Sequence, residues 1–432
     1  MAKSRKFYKL RRYKTRRNKI KRNKRTLRKG LRKRRKTKKL RGGMGLTNVK
    51  KRLSKIKPKV DNASSLAIEE LETLKKEIED LDAQPIENAG QILEPDDERY
   101  KKLKIGIPEC VKITDPRAKK ILLENTKSKK LLPASKITAP LQYLSNCWFN
   151  SGFMALFISD KGREFNRSFR QSMIEGKIID KDGSRKEIPE KLRNALGYFA
   201  IAIDACLRGD PIMHKLNTNH LLLSIYKSIP KSKMPEEIKS SKIDEAGNPI
   251  TYYKALYIYL YGNKSGSFPI EYIEISNIPD IPVKKGFYDL TNMVNYYMEK
   301  KGTEAPDLFI IEIFNNEEKG DDKSDPSKTV VNKPLRLKVK DVEYILDSTL
   351  VRDTTNSHLC ATLTYGGKEY GFDGESLHRM DPFKWKKYLN KDKRWSFKGS
   401  VWKSNGLAGK KGSPLHWNYK DGYQVLYYYR IK

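Results

Sequence analysis

The amino-acid sequence predicts an α+β domain, in which a helical lobe faces an antiparallel sheet, behind a disordered basic N-terminal tail. Three observations predict this arrangement. Residues 1–60 contain 30 Lys or Arg and no Asp or Glu, which leaves only +8 of the net charge of +38 for the rest of the chain. Apolar residues recur at helical spacing between residues 146 and 208, and segments rich in β-branched and aromatic residues follow residue 250. Helices that precede strands in this way are typical of α+β domains.

Residues 1–60 are predicted to form a disordered, polybasic tail. Like charges at this density repel one another, and almost no apolar surface is available to offset the entropy lost on folding. Such a segment binds polyanions such as DNA, RNA or anionic lipid, because binding releases their counterions. The expected polyanion-binding positions include Arg11, Arg12, Arg16, Arg17, Lys21, Arg22, Arg34 and Arg35. The alternative interpretation is a nuclear or nucleolar targeting signal, which needs only a fraction of this charge.

A short amphipathic helix is predicted over residues 61–84, followed by a linker over residues 85–135. The apolar positions of the helix recur at intervals of three, four and three residues, and they are Leu71, Leu74, Ile78 and Leu81. Two heptads are too few for a stable coiled coil, so a helix docked on the domain is favoured. Pro85 ends the helix, and the Pro-containing linker is expected to become ordered as it approaches the domain at residues 136–432.

Within the domain, helices are predicted first and strands second. The segments CWFNSGFMALFISDKGREFNRSFRQSMI and KLRNALGYFAIAIDACLRG have helical spacing, and the second is predicted to be buried over much of its surface. The predicted strands after residue 250 are ITYYKALYIYLYG, PIEYIEISNI, PDLFIIEIFN, KPLRLKV, VEYILDSTLVRD, HLCATLTYGG, KEYGFDG and YQVLYYYRIK. The acidic segment NNEEKGDDKSDPSKT is expected to be a solvated loop between two of these strands.

Cysteine usage and hydropathy exclude several classes of protein. The four cysteines, Cys110, Cys147, Cys206 and Cys360, are far apart and form no CxxC pair. Neither a zinc ribbon nor a dense disulfide framework is therefore expected, and a reducing intracellular compartment fits best. The longest apolar stretches are shorter than the roughly 20 residues that span a bilayer, and the N-terminus lacks the apolar segment of a signal peptide. We therefore expect a soluble protein without a membrane span.

Cys147 is the first candidate catalytic residue. A thiol attacks a carbonyl only as the thiolate, which is favoured by a helix N-terminus, by a nearby imidazole or by both. Cys147 opens the predicted apolar helix CWFNSGFMALF, where unpaired backbone N–H groups favour negative charge. A buried cysteine at a helix start is more often inert packing, so this position alone does not indicate catalysis.

The residues around Cys147 resemble a known motif. In CWFNS an aromatic pair and then Asn150 and Ser151 follow the cysteine, and this resembles the Cys box of the ubiquitin-specific proteases. The family's box reads asparagine, threonine, cysteine, tyrosine, methionine, asparagine, serine. Asn146 stands where the family usually has threonine. Asn150 and Ser151 are interpreted as helix-packing residues rather than as participants in the chemistry.

A second segment, YILDSTLVRDTTNSHLCATLTYGGKEYGFDGES, resembles the family's His box. The resemblance implies that His358 is the catalytic base and that Asp373, 15 residues later, orients it. Two antiparallel strands joined by a turn at Gly366 and Gly367 would bring these two side chains together, so that the carboxylate fixes the imidazole tautomer. The alternative roles are a surface histidine at a strand end and an aspartate that serves the turn before Gly374.

The resemblance covers roughly residues 138–432 in order, with departures. The family usually has an asparagine five residues before the cysteine as an oxyanion donor, and here Gln142 holds that place. A glutamine amide can also donate to an oxyanion, together with the backbone N–H of Cys147. Leu359 and Gly374 replace a common tyrosine and a second aspartate. The paired CxxC motifs of a zinc-binding fingers subdomain are absent, which implies a different or weaker grip on ubiquitin.

Two further segments have competing interpretations. FKWKKYLNKDKRWSFKGSVWK places Trp385, Trp395 and Trp402 among lysines, which suits either stacking on nucleic acid or a basic insertion folded over the cleft as a lid. The tail contains an LRGG segment that ends at Gly43, and LRGG is also the C-terminal sequence of ubiquitin. Self-cleavage after Gly43 is one hypothesis, and a chance Arg-Gly pair in a basic tract is the other.

Two hypotheses for the function follow from these observations. The first is a cysteine-type, deubiquitinase-like hydrolase that cleaves peptide or isopeptide bonds after Gly-Gly in ubiquitin or a ubiquitin-like modifier. It would use Cys147, His358, Asp373 and Gln142 without a cofactor or a metal ion, and the tail would localise it on nucleic acid or another polyanion. The second is a catalytically weak or inactive protease-fold protein that binds nucleic acid in a virion or nucleoprotein particle. Divergent motifs behind a polycationic leader resemble ubiquitin-protease-like proteins of large DNA viruses, so the nucleus and the virion are candidate locations.

Overall fold

The structure is a computed structural model, and the part of the chain that it describes belongs to the unit Asn62–Lys432. It describes residues 115–142, 145–179, 184–210, 213, 218–235, 238, 247–262, 270–275, 288–315, 318–319, 322–323, 330–353, 358–374, 380–398, 401–405 and 417–431. The predicted polybasic tail and the helix predicted over residues 61–84 lie outside these residues.

The described helices are α1 (Pro116–Lys127), α2 (Cys147–Phe153), α3 (Asp160–Phe165), α4 (Arg167–Glu175), α5 (Glu190–Arg208), α6 (Thr218–Lys227), α7 (Pro249–Tyr261) and α8 (Leu290–Lys301), with 3-10 turns at Ala134–Lys136, Lys231–Lys233 and Trp385–Tyr388. Helices α1 to α7 precede residue 262 and form the helical lobe. A π-helical turn, Met154–Ile158, continues α2. The helical run predicted from residue 146 is interrupted there, because the Ser159 side chain accepts a hydrogen bond from the Gly162 N–H and begins α3.

The strands are concentrated in the second half of the chain. They are β1 (Lys177–Ile179), β2 (Arg185–Glu187), β3 (Ile270–Glu274), β4 (Tyr288–Asp289), β5 (Leu308–Asn315), β6 (Glu318–Lys319), β7 (Asp322–Lys323), β8 (Val330–Asn332), β9 (Arg336–Val339), β10 (Val342–Arg352), β11 (Leu359–Tyr365), β12 (Lys368–Phe372), β13 (Asp381–Pro382), β14 (Arg394–Lys398), β15 (Val401–Asn405) and β16 (Gly422–Arg430). The short antiparallel pair β6 and β7 lies in the acidic segment that the sequence predicts to be a loop.

Eight strands form the main sheet, in the order β13-β12-β11-β10-β16-β5-β3, with β9 also paired to β10. Helices and one large sheet are therefore present, as the α+β prediction requires. The sheet differs from the antiparallel prediction at one edge, because β3 pairs with β5 in parallel. A parallel pair needs a long connection, and α8, which the sequence did not predict, lies between these two strands in the chain.

The main sheet is buried on both faces, and β16 shows this most clearly. Its residues Val425, Tyr427 and Tyr429 belong to the core shared with the helical lobe. Leu426 and Tyr428 alternate with them and belong to a second core on the opposite face. Because neither face is solvated, strands in the middle of the sheet read as nearly continuous apolar runs.

The segment ITYYKALYIYLYG, predicted to be a strand, forms helix α7, so this prediction was wrong. Pro249 occupies the first turn of the helix, where its missing N–H is not needed. The Asn248 side chain caps the helix by accepting hydrogen bonds from the N–H groups of Ile250 and Thr251. α7 is buried around most of its circumference, so its aromatic residues show no polar face that would mark a helix in the sequence.

Helix α5 confirms the prediction of a largely buried helix for KLRNALGYFAIAIDACLRG, since nearly every residue from Leu192 to Cys206 is buried. α1 lies within the segment 85–135 that was predicted to be a linker, and it buries Ala118 and Leu122 in the core of the helical lobe. The division of the chain at residue 136 stays a prediction. Within the described part of the chain, no helix has both the length and the apolar character needed to cross a membrane.

Candidate active site

Cys147 is the first residue of α2, next to the N-cap residue Asn146. The N–H groups of Phe149 and Asn150 both donate to the Asn146 carbonyl over 3.0 Å, which closes the first turn. Trp148 and Phe149 are buried in the core of the helical lobe and anchor the helix. The first residue of a helix has no intrahelical partner for its own N–H, so the start of α2 is a favourable place for negative charge.

A chain of buried hydrogen bonds fixes the start of α2. Asn146 Nδ2 donates to Thr218 Oγ1 over 2.6 Å, and Thr218 Oγ1 donates to Asn150 Oδ1 over 2.7 Å. Asn150 Nδ2 in turn donates to the Leu141 carbonyl over 3.0 Å. The network therefore holds α2, α6 and the segment that leads to Gln142 in one arrangement. Sequence reasoning missed Thr218, because nothing in the sequence indicates that α6 lies beside α2.

His358 and Asp373 lie side by side at one end of the paired strands β11 and β12 in the main sheet. His358 immediately precedes β11 and Asp373 immediately follows β12, and these strands pair antiparallel with Ala361 opposite Phe372. His358 Nε2 and Asp373 Oδ1 are 2.6 Å apart, and both side chains are buried. An ionised carboxylate only accepts hydrogen bonds, so the imidazole proton belongs on Nε2 and the lone pair on Nδ1.

Two hydrogen bonds join α2 and the segment before it to the strand ends that carry His358 and Asp373. Ser151 lies one turn after Cys147 on the same side of the helix, and its Oγ donates to the Leu359 carbonyl over 3.2 Å. The Gln142 N–H donates to the Gly374 carbonyl over 3.2 Å. Leu359 follows His358 and Gly374 follows Asp373 in the chain. Both links therefore bring the cysteine side of the lobe against the histidine side of the sheet.

Gln142 lies beside Gly374, the residue at which the sequence departs from the motif that it resembles. A Cβ atom on Gly374 would lie 3.3 Å from Gln142 Cβ and 3.7 Å from Asn150 Nδ2. A side chain at this position would therefore press on the residue proposed to hold the oxyanion. The packing around Gly374 gives a physical reason for this departure from the family's pattern.

The three described cysteines differ in exposure. Cys147 keeps 7% of its surface exposed, whereas Cys206 and Cys360 are fully buried. Burial raises the pKa of the Cys206 thiol, and it raises the pKa of the Cys360 thiol with a further contribution from the charge of Asp373. All three described cysteines are buried, and among them only Cys147 combines residual exposure with a position at a helix start.

Trp385 and Trp395 do not form a surface for stacking. Both are fully buried in the second core, on the sheet face opposite the helical lobe. These two rings are therefore not offered to nucleic acid, and the interpretation of the segment as a lid stays a prediction. The side chain of Trp402 lies outside the described residues.

The described residues offer no cluster of metal ligands. Nowhere among them are three or more His, Cys, Asp or Glu side chains arranged to hold a metal ion. The polyanion-binding positions expected in the tail lie outside the described residues, so they stay a prediction.

Comparisons with known proteins include two distant structural likenesses. No family model matches the chain, and no curated protein matches it significantly. A chain of the SAGA DUB module of Ubp8, Sgf11, Sus1 and Sgf73, bound to monoubiquitin, is similar with 11% sequence identity and a TM-score of 0.38, over 74% of this chain and 76% of that chain. An essential yeast splicing factor is similar with 8% identity and a TM-score of 0.37, over 69% of this chain and 70% of that chain.

Proposed function

We propose that the protein is a cysteine-type hydrolase that cleaves peptide or isopeptide bonds after Gly-Gly in ubiquitin or a ubiquitin-like modifier. The observation that carries the proposal is the buried hydrogen bond of 2.6 Å between His358 and Asp373. The strand end that carries His358 is hydrogen-bonded to α2 through Ser151. Hydrolysis by a catalytic cysteine uses three groups, which are a nucleophile, a base and a group that orients the base.

In the proposed mechanism, Cys147 is the nucleophile and His358 is the base. Nδ1 of His358 takes the proton from Cys147 Sγ, and Asp373 stabilises the imidazolium through Nε2. The thiolate attacks the carbonyl carbon of the terminal glycine, and His358 then gives the proton to the departing amine. The resulting thioester is hydrolysed by a water molecule that His358 deprotonates, which returns the enzyme to its starting state.

Gln142 is proposed to stabilise the oxyanion. Its side-chain amide would donate to the negative oxygen together with the backbone N–H of Cys147. The backbone of Gln142 is held by the Gly374 carbonyl, so the amide extends from a fixed point. Fixed donors are effective because they need no reorganisation when the charge develops.

The choice of ubiquitin or a ubiquitin-like modifier rests on the resemblance of the segments around Cys147 and His358 to the ubiquitin-specific proteases. The test is covalent labelling by ubiquitin that carries a C-terminal electrophile, followed by mass spectrometry of the modified peptide. We expect one adduct on Cys147, none in Cys147→Ala and little in His358→Ala. Cys110→Ala is the control, because a labelling reaction that is specific to the site does not depend on another thiol.

Two outcomes would contradict this proposal. Equal labelling of Cys147→Ala would show that the probe reacts with other thiols. A folded wild-type protein that reacts with no probe from a panel of ubiquitin-like modifiers would favour the second candidate, a protease-fold protein without turnover. The charge of residues 1–60, with 30 Lys or Arg and no acidic residue, is the observation that supports polyanion binding in either case.

A further inference from the structure

The segment between β13 and β16 carries a tryptophan that contacts the proposed base. We call residues 380–417 the insertion; its described parts are β13, the turn Trp385–Tyr388, β14, β15 and Trp417. Trp395 in β14 pairs with Trp417 through two backbone hydrogen bonds, of 2.8 Å and 2.9 Å. These two bonds therefore fix the backbone of Trp417 against β14.

Trp417 reaches His358 in two ways. Its indole Nε1 donates to the His358 carbonyl over 3.1 Å, and its ring centroid lies 5.9 Å from that of the imidazole. The same carbonyl accepts a second hydrogen bond, of 2.7 Å, from the Asp353 N–H. Two donors on one carbonyl oxygen fix the backbone of His358 at the point where β11 begins.

The surroundings of Trp417 are buried and packed with aromatic rings. Trp417 and Trp395 are both buried in the second core, where the Trp395 ring lies 4.8 Å from that of Tyr419. The Tyr419 hydroxyl is hydrogen-bonded to Thr349 on β10 and to Thr362 on β11, over 2.9 Å and 2.6 Å. Through this ring contact with Tyr419, Trp395 of the insertion is linked to β10 and β11, the strands that precede and follow His358 in the chain.

We propose that Trp417 is a positioning residue for His358 and that the insertion, through it, sets the reactivity of the base. The inference rests on the proposed function, because it assigns a role in the same site. The hydrogen bond between His358 and Asp373 requires the imidazole to be held within a fraction of an ångström, and a base displaced by about 1 Å can lose about 100-fold in rate. The indole supplies that restraint from the face of the sheet opposite the nucleophile.

The test compares Trp417→Phe with a matched variant, Trp385→Phe. Trp385 is also fully buried in the second core, and its Nε1 donates to the carbonyl of Leu363 in β11 over 3.3 Å. Trp385→Phe removes an indole donor from a carbonyl of β11. Trp417→Phe removes one from the carbonyl of His358, which immediately precedes β11. Only Trp417→Phe removes the donor to the proposed base, so loss of stability alone would affect both variants.

The first measurement is the rate of Cys147 alkylation by iodoacetamide as a function of pH, which needs no modifier. We expect the wild-type rate at about pH 6 to depend on His358, so that His358→Ala lowers it, because a neighbouring imidazolium stabilises a thiolate. Trp417→Phe should lose about tenfold in rate at about pH 6 and move the profile towards that of His358→Ala, and Trp385→Phe should keep the wild-type profile. In turnover of a Gly-Gly substrate, Trp417→Phe should lower kcat by about 10-fold to 100-fold and leave KM unchanged.

Each contradicting outcome separates the inference from the proposed function. A profile of Cys147 alkylation that His358→Ala leaves unchanged overturns the proposed function. A profile that His358→Ala changes but Trp417→Phe leaves unchanged, or that both tryptophan variants change equally, overturns the inference alone. If Trp417→Phe does not fold, benzothienylalanine at position 417 replaces the indole N–H by sulfur at nearly the same shape, and an unchanged profile there overturns the inference as well.

Discussion

At the scale of single residues, the buried pair of His358 and Asp373 is the most informative feature. Burying an imidazole and a carboxylate is costly unless each has a hydrogen-bond partner, and here each is the partner of the other. Their burial also excludes water that would compete for the same atoms. The geometry therefore fixes which imidazole nitrogen faces the carboxylate.

Asp373→Ala should lower kcat/KM by about 100-fold or more, because the imidazole then loses both its tautomer preference and its orientation. Asp373→Asn should retain more activity than Asp373→Ala, since an amide oxygen can still accept from Nε2. Steady-state kinetics on a Gly-Gly substrate would measure both variants, with circular dichroism as the control for folding. Equal activities of the two variants would contradict an orienting role for this side chain.

At the scale of secondary-structure elements, a bulge in β10 ties the sheet to the helical lobe. The pairing of β10 with β16 shifts register between Leu346 and Ser348, and the residue between them is the buried Asp347. The Asp347 carboxylate accepts a hydrogen bond of 2.8 Å from the Lys161 N–H in α3. Burial raises the pKa of Asp347 to about 6, although hydrogen bonds from Ser159 and Lys161 act in the opposite direction.

The raised pKa of Asp347 predicts a specific dependence of stability on pH. Between about pH 4 and pH 6 the folded protein binds more protons at this carboxyl than the unfolded chain does, so its contribution to stability falls as the pH rises through this window. Asp347→Asn removes the charge and should raise the free energy of unfolding at about pH 7.5 by about 1–3 kcal/mol, with little gain near pH 4. Urea unfolding of wild type and variant at several pH values would measure the difference.

Asp392→Asn is the control for this prediction, because the Asp392 carboxylate is mostly exposed in its ion pair with Lys420. Its difference from the wild type should stay small at every pH. A difference between wild type and Asp347→Asn that is the same in acid as at neutral pH would contradict the assignment.

At the scale of the whole molecule, the distribution of charge predicts how the protein meets polyanions. Binding of the full chain to duplex DNA should weaken by about 10³-fold to 10⁵-fold between about 50 mM and 200 mM salt, as expected for six to ten phosphate contacts. Deletion of residues 1–60 should abolish most of this binding. Fluorescence anisotropy with DNA, RNA and anionic vesicles would compare the polyanions.

The control for the tail is a full-length variant in which the eight proposed positions, Arg11, Arg12, Arg16, Arg17, Lys21, Arg22, Arg34 and Arg35, are changed to Gln. It should bind more weakly and with a smaller salt dependence than the wild type. Binding that survives deletion of the tail, or that does not respond to salt, would contradict the proposal.

The sequence predicted the strands of the main sheet better than its helices. β5, β10 and β16 are recognisable because they are rich in β-branched and aromatic residues, and those residues suit a buried strand. The same composition led to the wrong prediction for α7, where packing on all sides overrides local preference. The parallel pairing of β3 was not predicted either, since it depends on the connection that contains α8, a helix that the sequence did not predict.

The sequence indicates candidate site residues only where side chains form recognisable motifs. The catalytic roles of Cys147, His358 and Asp373 stay predictions, and these residues were recognised from their neighbours in the sequence. Trp417 was not, because it acts on a backbone carbonyl, and every residue has one. Thr218 was missed for a related reason, since a single threonine in a helix carries no signal of which helix it faces.

Strand β16 lies between β10 and β5, near the middle of the sheet, although it follows the other described strands in the chain. During synthesis on a ribosome, a nascent chain that lacks residues 422–430 has two half-sheets with no strand to join them. Closure of the sheet must therefore wait until this segment has left the exit tunnel. A polypeptide that lacks residues 422–430 should accordingly be unable to complete the core that the sheet shares with the helical lobe.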